Sequence, residues 1–141
     1  MVREARLDDI VRLLPLVEEY SNEIGLNDYY DKKTTAHTLR LCVFEGLCLC
    51  DENYNGIIAG STTHSPWNSY VRVLHEHIYF VKPNARNGTL GKLLLQEYDR
   101  RSKDWELNSL KLMHNSPDIR ERYKRLGYRE AETTYMRFNG G

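Results

Sequence analysis

The chain has 141 residues, enough for one domain around one core, and its 40% hydrophobic and 28% charged residues are those of an ordinary globular protein. Twenty Lys and Arg balance twenty Asp and Glu, so the basic excess of a general nucleic-acid binder is missing and no nucleic-acid partner is expected. No apolar run approaches the ~20 residues that span a bilayer, Met1–Arg6 lacks the apolar core of a signal peptide, and the odd set Cys42, Cys48 and Cys50 has no disulfide-framework spacing; these features point to reduced thiols, no membrane and a cytoplasmic setting.

Alternation over Val2–Arg6 predicts a first strand. Asp8 or Asp9 then caps a helix that carries Ile10, Leu13, Leu14, Val17 and Tyr20 at helical spacing. Pro15 inside that pattern predicts a kink or a break. A second helix is expected over Lys32–Phe44, stopped near Gly46. The period then becomes strand-like: Leu47–Asp51 and Ile57–His64 read as a hairpin, with Asn55-Gly56 as the turn signal. Cys48 and Cys50 share one face of the first of these strands and are expected in the core; as a metal site they lack ligands.

Ser65–Ser69 reads as a loop, and Tyr70–Val81 as a long strand rich in β-branched and aromatic residues. Thr89 to about Lys103 predicts an amphipathic helix with Leu90, Leu93, Leu94 and Tyr98 inward. Ser109–Met113 predicts a short strand, Ser116 and Pro117 a helix start, Gly127 its end, and Tyr128–Phe138 a last strand. The basic runs Arg100–Lys103 and Arg120–Arg125 read as solvated helix faces. The order βααβββαβαβ implies an α/β (α+β) fold: a mixed sheet with helices on its faces, in a single domain over residues 1–141.

Between the long strand and its following helix lies Val81-Lys82-Pro83-Asn84-Ala85-Arg86-Asn87-Gly88-Thr89-Leu90-Gly91-Lys92. Such a strand–loop–helix junction gathers backbone N–H groups at a helix N-terminus, an anion site suited to a pyrophosphate, with Arg86 and Lys92 adding charge. The stretch resembles the acyl-CoA loop of the GNAT superfamily of N-acetyltransferases, in which Val-x-Pro runs into Arg/Gln-x-x-Gly-x-Gly/Ala. Arg86 and Gly91 match, and Thr89 stands where the family carries glycine. Further on, Tyr123-Lys124-Arg125-Leu126-Gly127-Tyr128 is similar to the family segment Tyr-x-x-Leu-Gly-Phe/Tyr at every fixed position.

The resemblance implies a mostly antiparallel mixed sheet of about six to seven strands with about four helices and splayed central strands. It implies acetyl-CoA as cosubstrate, no metal, and an acetyl transfer to a primary amine of a protein or small molecule by direct attack in a ternary complex. It also places cofactor contacts at Tyr79, Phe80, Val81, Arg86, Asn87, Gly88, Thr89, Leu90, Gly91, Lys92, Asn115 and Tyr123. The pantetheine arm would pair with strand backbone at Tyr79–Val81, and the Val81 N–H would polarise the thioester carbonyl. Tyr123 would protonate the leaving thiolate, and Glu76 is the first candidate for the base, with His77 and His114 behind it.

Alternatives stand beside these roles. Tyr123 can be a packing residue, and Glu76 can be held in a salt bridge to Arg72 or to a basic residue on the facing strand. Strict alternation puts Glu76, Ile78 and Phe80 on one face and His75, His77, Tyr79 and Val81 on the other, unless a bulge intervenes. His75-Glu76-His77 offers two imidazoles but no evident third metal ligand. Tyr29, Tyr30, Trp67, Asn68 and Tyr70 can line the acceptor pocket, or be exposed loop residues or a homodimer contact. The competing functional reading is an inactive GNAT-fold module that binds CoA or another protein; a weaker one is an inhibitor-like or structural protein.

Overall fold

The computed structural model describes residues 1–112 and 117–140. Residues 1–111 form one compact unit, and the residues from 112 onward a second. In the first, the elements are β1 (Val2–Glu4), α1 (Ile10–Glu23), α2 (Lys32–Glu45), β2 (Gly46–Asp51), β3 (Gly56–Ser65), β4 (Asn68–Val81), α3 (Leu90–Arg101) and β5 (Leu107–Ser109). The sheet runs β1-β2-β3-β4-β5, antiparallel except for the parallel pair β4–β5.

The apolar spacing read from the sequence explains the layers. One face of the sheet contributes Cys48, Cys50, Ile57, Ala59, Ile78 and Phe80 to a core shared with Ile10, Leu13, Leu14 and Leu16 of α1 and Leu39 and Cys42 of α2. The three cysteines are free and buried there, and burial pushes their thiols up, Cys42 to about 12 and Cys50 to about 11. The intervening positions face α3, whose Leu94, Leu95 and Tyr98 are buried. Contact is close on that side. A Cβ on Gly60 would sit 2.2 Å from the Tyr98 hydroxyl, and one on Gly56 would sit 2.8 Å from Leu94 Cδ1.

Local chemistry differs from expectation at several points. Asp9 holds the N-cap position of α1, but its side chain makes no cap bond there. It accepts two hydrogen bonds from the Arg3 guanidinium at 2.8 and 2.9 Å, one from the Arg6 N–H at 2.7 Å and one from the Tyr54 hydroxyl at 2.6 Å. One carboxylate thus ties β1, the start of α1 and the β2–β3 turn. Among the described residues α2 is capped from a side chain, where Asp31 accepts the Thr34 N–H at 2.8 Å. α1 continues through Pro15 without a break. α2 stops at Glu45 with Gly46 as its C-cap, as expected, and Gly46 also opens β2; a Cβ there would lie 2.0 Å from the Gly60 carbonyl oxygen.

The β2–β3 turn is built by Asp51, whose carboxylate accepts the N–H groups of Asn53, Asn55 and Gly56. The left-handed residue in it is Tyr54, at φ 55°, and not Gly56. The β3–β4 connection is shorter than expected, only Pro66 and Trp67, and it leaves Trp67 and Tyr70 each 91% exposed. Trp105, in contrast, donates to Thr62 Oγ1 at 2.9 Å and lies under the Arg72 guanidinium.

The strand count falls short of the expected six to seven: five strands stand among the described residues. The strand expected at Ser109–Met113 is Leu107–Ser109. In the second unit, α4 (Pro117–Arg125) ends at Gly127 with φ 93°, as its sequence predicts, and Tyr123 and Tyr128 pack ring to ring at 6.1 Å. Tyr128–Phe138 carries no strand. Among the described residues no ladder pairs it, and Arg129-Glu130-Ala131-Glu132 has little β propensity. The expected N-cap Ser116 lies outside the described residues.

Candidate acyl-CoA site

The site in the first unit is the C-terminal end of β4 and the junction that follows. β4 pairs with β3 from Gly56↔Val81 to Ser65↔Asn68, but with β5 only at Val73↔Leu107, Leu74↔Asn108 and His75↔Ser109. The Lys82 N–H donates to the Asn55 carbonyl at 2.8 Å. Antiparallel alternation then makes Phe80↔Ile57 the next mutually bonded pair and turns the N–H and C=O of Val81 away from β3. Phe80, named from the resemblance, is therefore committed: its backbone to β3, its ring to the core at 5.9 Å from the Tyr20 ring. The Val81 N–H has no partner among the described residues.

Beyond Val81 a short turn, Pro83–Ala85, leads to Arg86, Asn87, Gly88 and Thr89, all exposed, and to α3. Among the described residues the N–H groups from Asn87 to Lys92 donate to nothing, since those of Leu90, Gly91 and Lys92 are the first turn of α3. The partial positive charge of that helix end adds to them. Gly88 has only the Ala85 carbonyl oxygen, at 4.0 Å, near the place a Cβ would occupy. Packing within the chain does not demand glycine there, whereas close approach by a ligand would. Thr89 sits at the N-cap of α3 with φ −100°, a backbone any residue adopts, and its hydroxyl makes no cap bond. The backbone at this departure from the family motif thus does not require glycine.

Arg86 and Lys92 are both exposed, but Arg86 is held by partners within the chain. Its Nε donates to the Val81 carbonyl at 2.8 Å, its Nη2 to both oxygens of Glu23 at 2.9 and 2.7 Å, and its guanidinium lies over the Phe80 ring at 5.4 Å. The Tyr79 hydroxyl donates to the Gly91 carbonyl and pins the start of α3 to β4.

Glu76 lies earlier on β4 and is 2% exposed. Pairing passes from Ala59↔Ile78 to Gly60↔Glu76, so His77 is the extra residue of a bulge and strict alternation fails there. Burial raises the Glu76 carboxyl to about 7, against the opposing pull of Lys111. Its cation is not Arg72, which pairs with Glu106, but Lys111. His77 hydrogen-bonds Ser61 Oγ through Nε2 at 2.7 Å, and its ring meets that of His75 at 5.3 Å. Burial lowers it to about 4, so it is neutral near pH 7. Among the described residues no group of three His, Cys, Asp or Glu could hold a metal ion, and no described helix is long and apolar enough to cross a membrane.

The first unit carries Glu76, Tyr79 and Val81 in sequence along β4 and the Arg86–Lys92 loop beyond its end, while Tyr123 lies on α4 of the second unit. Asn115 and His114 lie outside the described residues. Sequence reasoning missed Glu23 and Lys111. A buried carboxylate calls for a cation, which was a usable signal, but nothing in the spacing of 35 residues names Lys111.

Residues 12–128 match the model of the acetyltransferase (GNAT) family. No curated protein matches the chain. Among solved structures, a probable acetyltransferase is similar over 100% of this chain and 99% of its own, with a TM-score of 0.75 and 16% identity. A predicted acetyltransferase with acetyl-CoA from Clostridium acetobutylicum is similar over 99% and 95%, with a TM-score of 0.75 and 17% identity. Ribosomal-protein-alanine N-acetyltransferase from Brucella melitensis biovar Abortus 2308 is similar over 98% of both chains, with a TM-score of 0.72 and 17% identity. At these identities the structures speak for the fold, and the family model speaks for descent: the chain belongs to the GNAT acetyltransferase family and is an acyltransferase.

Proposed function

We propose that the protein transfers an acetyl group from acetyl-CoA to a primary amine, by direct attack in a ternary complex. The observation that carries this reading is the run of unengaged N–H groups from Asn87 to Lys92 at the start of a twelve-residue helix, beside a glycine that packing does not require. A pyrophosphate satisfies such a cradle. The similar clostridial protein with acetyl-CoA supports the choice of cosubstrate, and the Brucella relative, named for a ribosomal-protein alanine, supports an amine acceptor.

In this reading the pantetheine arm runs along the end of β4, and the Val81 N–H polarises the thioester carbonyl. Glu76, with a carboxyl near 7, takes the proton of the acceptor amine. Tyr123 returns a proton to the departing thiolate, since a phenol and a thiol lie within about 2 units of each other. The exposed aromatics Trp67 and Tyr70 are surfaces on which an acceptor can stack.

Thermal denaturation with acetyl-CoA tests the binding half. A ligand at 100 times its Kd adds about 2.7 kcal/mol, so an unchanged melting temperature at millimolar acetyl-CoA would sink the reading. Release of free thiol with a panel of amines and peptides tests the transfer half, and binding without release would make the protein a CoA-binding module. Tyr123→Phe should slow release while leaving acetyl-CoA binding intact.

A further inference from the structure

Three parts of the first unit converge on one backbone atom, the Val81 carbonyl oxygen: the end of β4, the loop through Arg86, and the last residue of α1 through Glu23. The carbonyl and the N–H of Val81 both point away from β3. Arg86 occupies the carbonyl with Nε and leaves the N–H. Its guanidinium cannot swing freely, because Glu23 holds Nη2 through both carboxylate oxygens and the Phe80 ring lies beneath. The ion pair is partly exposed, 43% at Arg86 and 33% at Glu23, so geometry and not raw charge attraction is its main contribution.

We propose that Glu23 is a positioning residue for the pantetheine arm: it locks Arg86 onto the Val81 carbonyl, so that the end of β4 offers an arriving ligand one free donor beside a carbonyl already engaged. This rests on the acyl-CoA reading above. Every amide of an extended ligand carries both a carbonyl and an N–H, and a bare strand end can pair with it in more than one register. With the Val81 carbonyl already engaged by a guanidinium, a second hydrogen bond to it is disfavoured, and the ligand carbonyl received by the N–H sets the register. Glu23 thereby fixes where the ligand stops along β4, without touching it.

Calorimetric titration tests this with the wild type, Glu23→Gln, Arg86→Gln and the double variant, using acetyl-CoA and adenosine 3′,5′-bisphosphate, which lacks the pantetheine arm. Glu23→Gln should weaken acetyl-CoA binding about tenfold, the scale of one lost charged hydrogen bond. The double variant should match Arg86→Gln alone, because Glu23 acts through Arg86. The bisphosphate should lose less than about twofold on Glu23→Gln, a split that general destabilisation would not produce. Multiplying losses, equal losses on both ligands, unchanged affinity or tighter acetyl-CoA binding by Glu23→Gln would each overturn the inference. If the bisphosphate binds too weakly to titrate, the coupling decides alone. Circular dichroism checks folding, and Glu23→Ala stands in if Glu23→Gln does not fold. A wild type that does not bind acetyl-CoA removes the functional reading itself, and this inference with it.

Discussion

Lys111 meets Glu76 twice, its backbone N–H donating to Oε1 at 3.1 Å and its Nζ standing 4.0 Å from Oε2, while the same Nζ donates to the His77 carbonyl at 2.9 Å. The lysine stabilises the ionised carboxylate, burial opposes it, and burial wins, leaving the group near 7. If Glu76 is the base, turnover should rise with pH through a midpoint near that value. Glu76→Gln should lower turnover about a hundredfold or more and flatten this limb, with acetyl-CoA affinity preserved. A variant that keeps the limb would remove Glu76 from the role.

Glu76 and His77 set opposed slopes in stability against pH. Glu76 is raised from 4.5 to about 7, so the folded state holds the extra proton between those values and stability falls as pH rises through them. His77 is lowered from 6.5 to about 4, so the unfolded state holds the extra proton and stability rises with pH over that window. In the wild type they offset each other from about pH 4.5 to 6.5. Urea denaturation of Glu76→Gln should therefore show stability climbing between pH 4 and 6.5, more steeply than in the wild type.

Asp9 is the most heavily used side chain of the fold, and it is 4% exposed. The Arg3 guanidinium holds its carboxyl far below the ordinary carboxylate range, with Tyr54 and the Arg6 N–H helping. Removing it takes the acceptor from the Tyr54 hydroxyl and leaves Arg3 with Glu52 and the Glu4 carbonyl. Asp9→Ala should cost about 3 kcal/mol by denaturant midpoint. The Asp9 contribution is present above the unfolded value of 3.8 and lost as pH falls below it, so the deficit of the variant should shrink in acid.

Gly46→Ala and Gly60→Ala should both destabilise, for different reasons. At Gly46 the new methyl would meet a carbonyl oxygen of the neighbouring strand at 2.0 Å, and backbone must move. At Gly60 it would meet the Tyr98 hydroxyl at 2.2 Å. We expect a loss of about 3 kcal/mol for Gly46→Ala, the upper end of ordinary overpacking. Tyr98→Phe should recover part of the loss in Gly60→Ala and none of that in Gly46→Ala, as thermal denaturation would report.

Helices and central strands were legible because their periodicity is strong: α1, α2, α3 and β2 to β4 lie within a few residues of where spacing puts them. What spacing does not encode is which partner a polar group finds. Asn55-Gly56 marked a real turn, yet Asp51 holds it and Gly56 is small because α3 packs on it. Asp9 stands at the N-cap of α1 as expected, yet its carboxylate is spent on Arg3. Within Tyr128–Phe138 the β-prone residues after Tyr128 come only from Thr133 on, and a strand also needs a neighbour with matching register, which no local pattern supplies. The strand–loop–helix junction at Arg86–Lys92 was legible because it is local in the chain, whereas the Glu23–Arg86 contact joins positions 63 residues apart.

The short β3–β4 connection has a practical use. The chain has two tryptophans, one at the hairpin tip, 91% exposed, the other hydrogen-bonded to Thr62 and covered by Arg72. They form a built-in pair of optical probes with contrasting surroundings. Trp67→Phe leaves a single emitter at Trp105, beside the junction of β4 and β5, whose signal follows opening of that part of the sheet. Trp105→Phe leaves one at the tip, accessible to soluble quenchers and shielded only when something docks there.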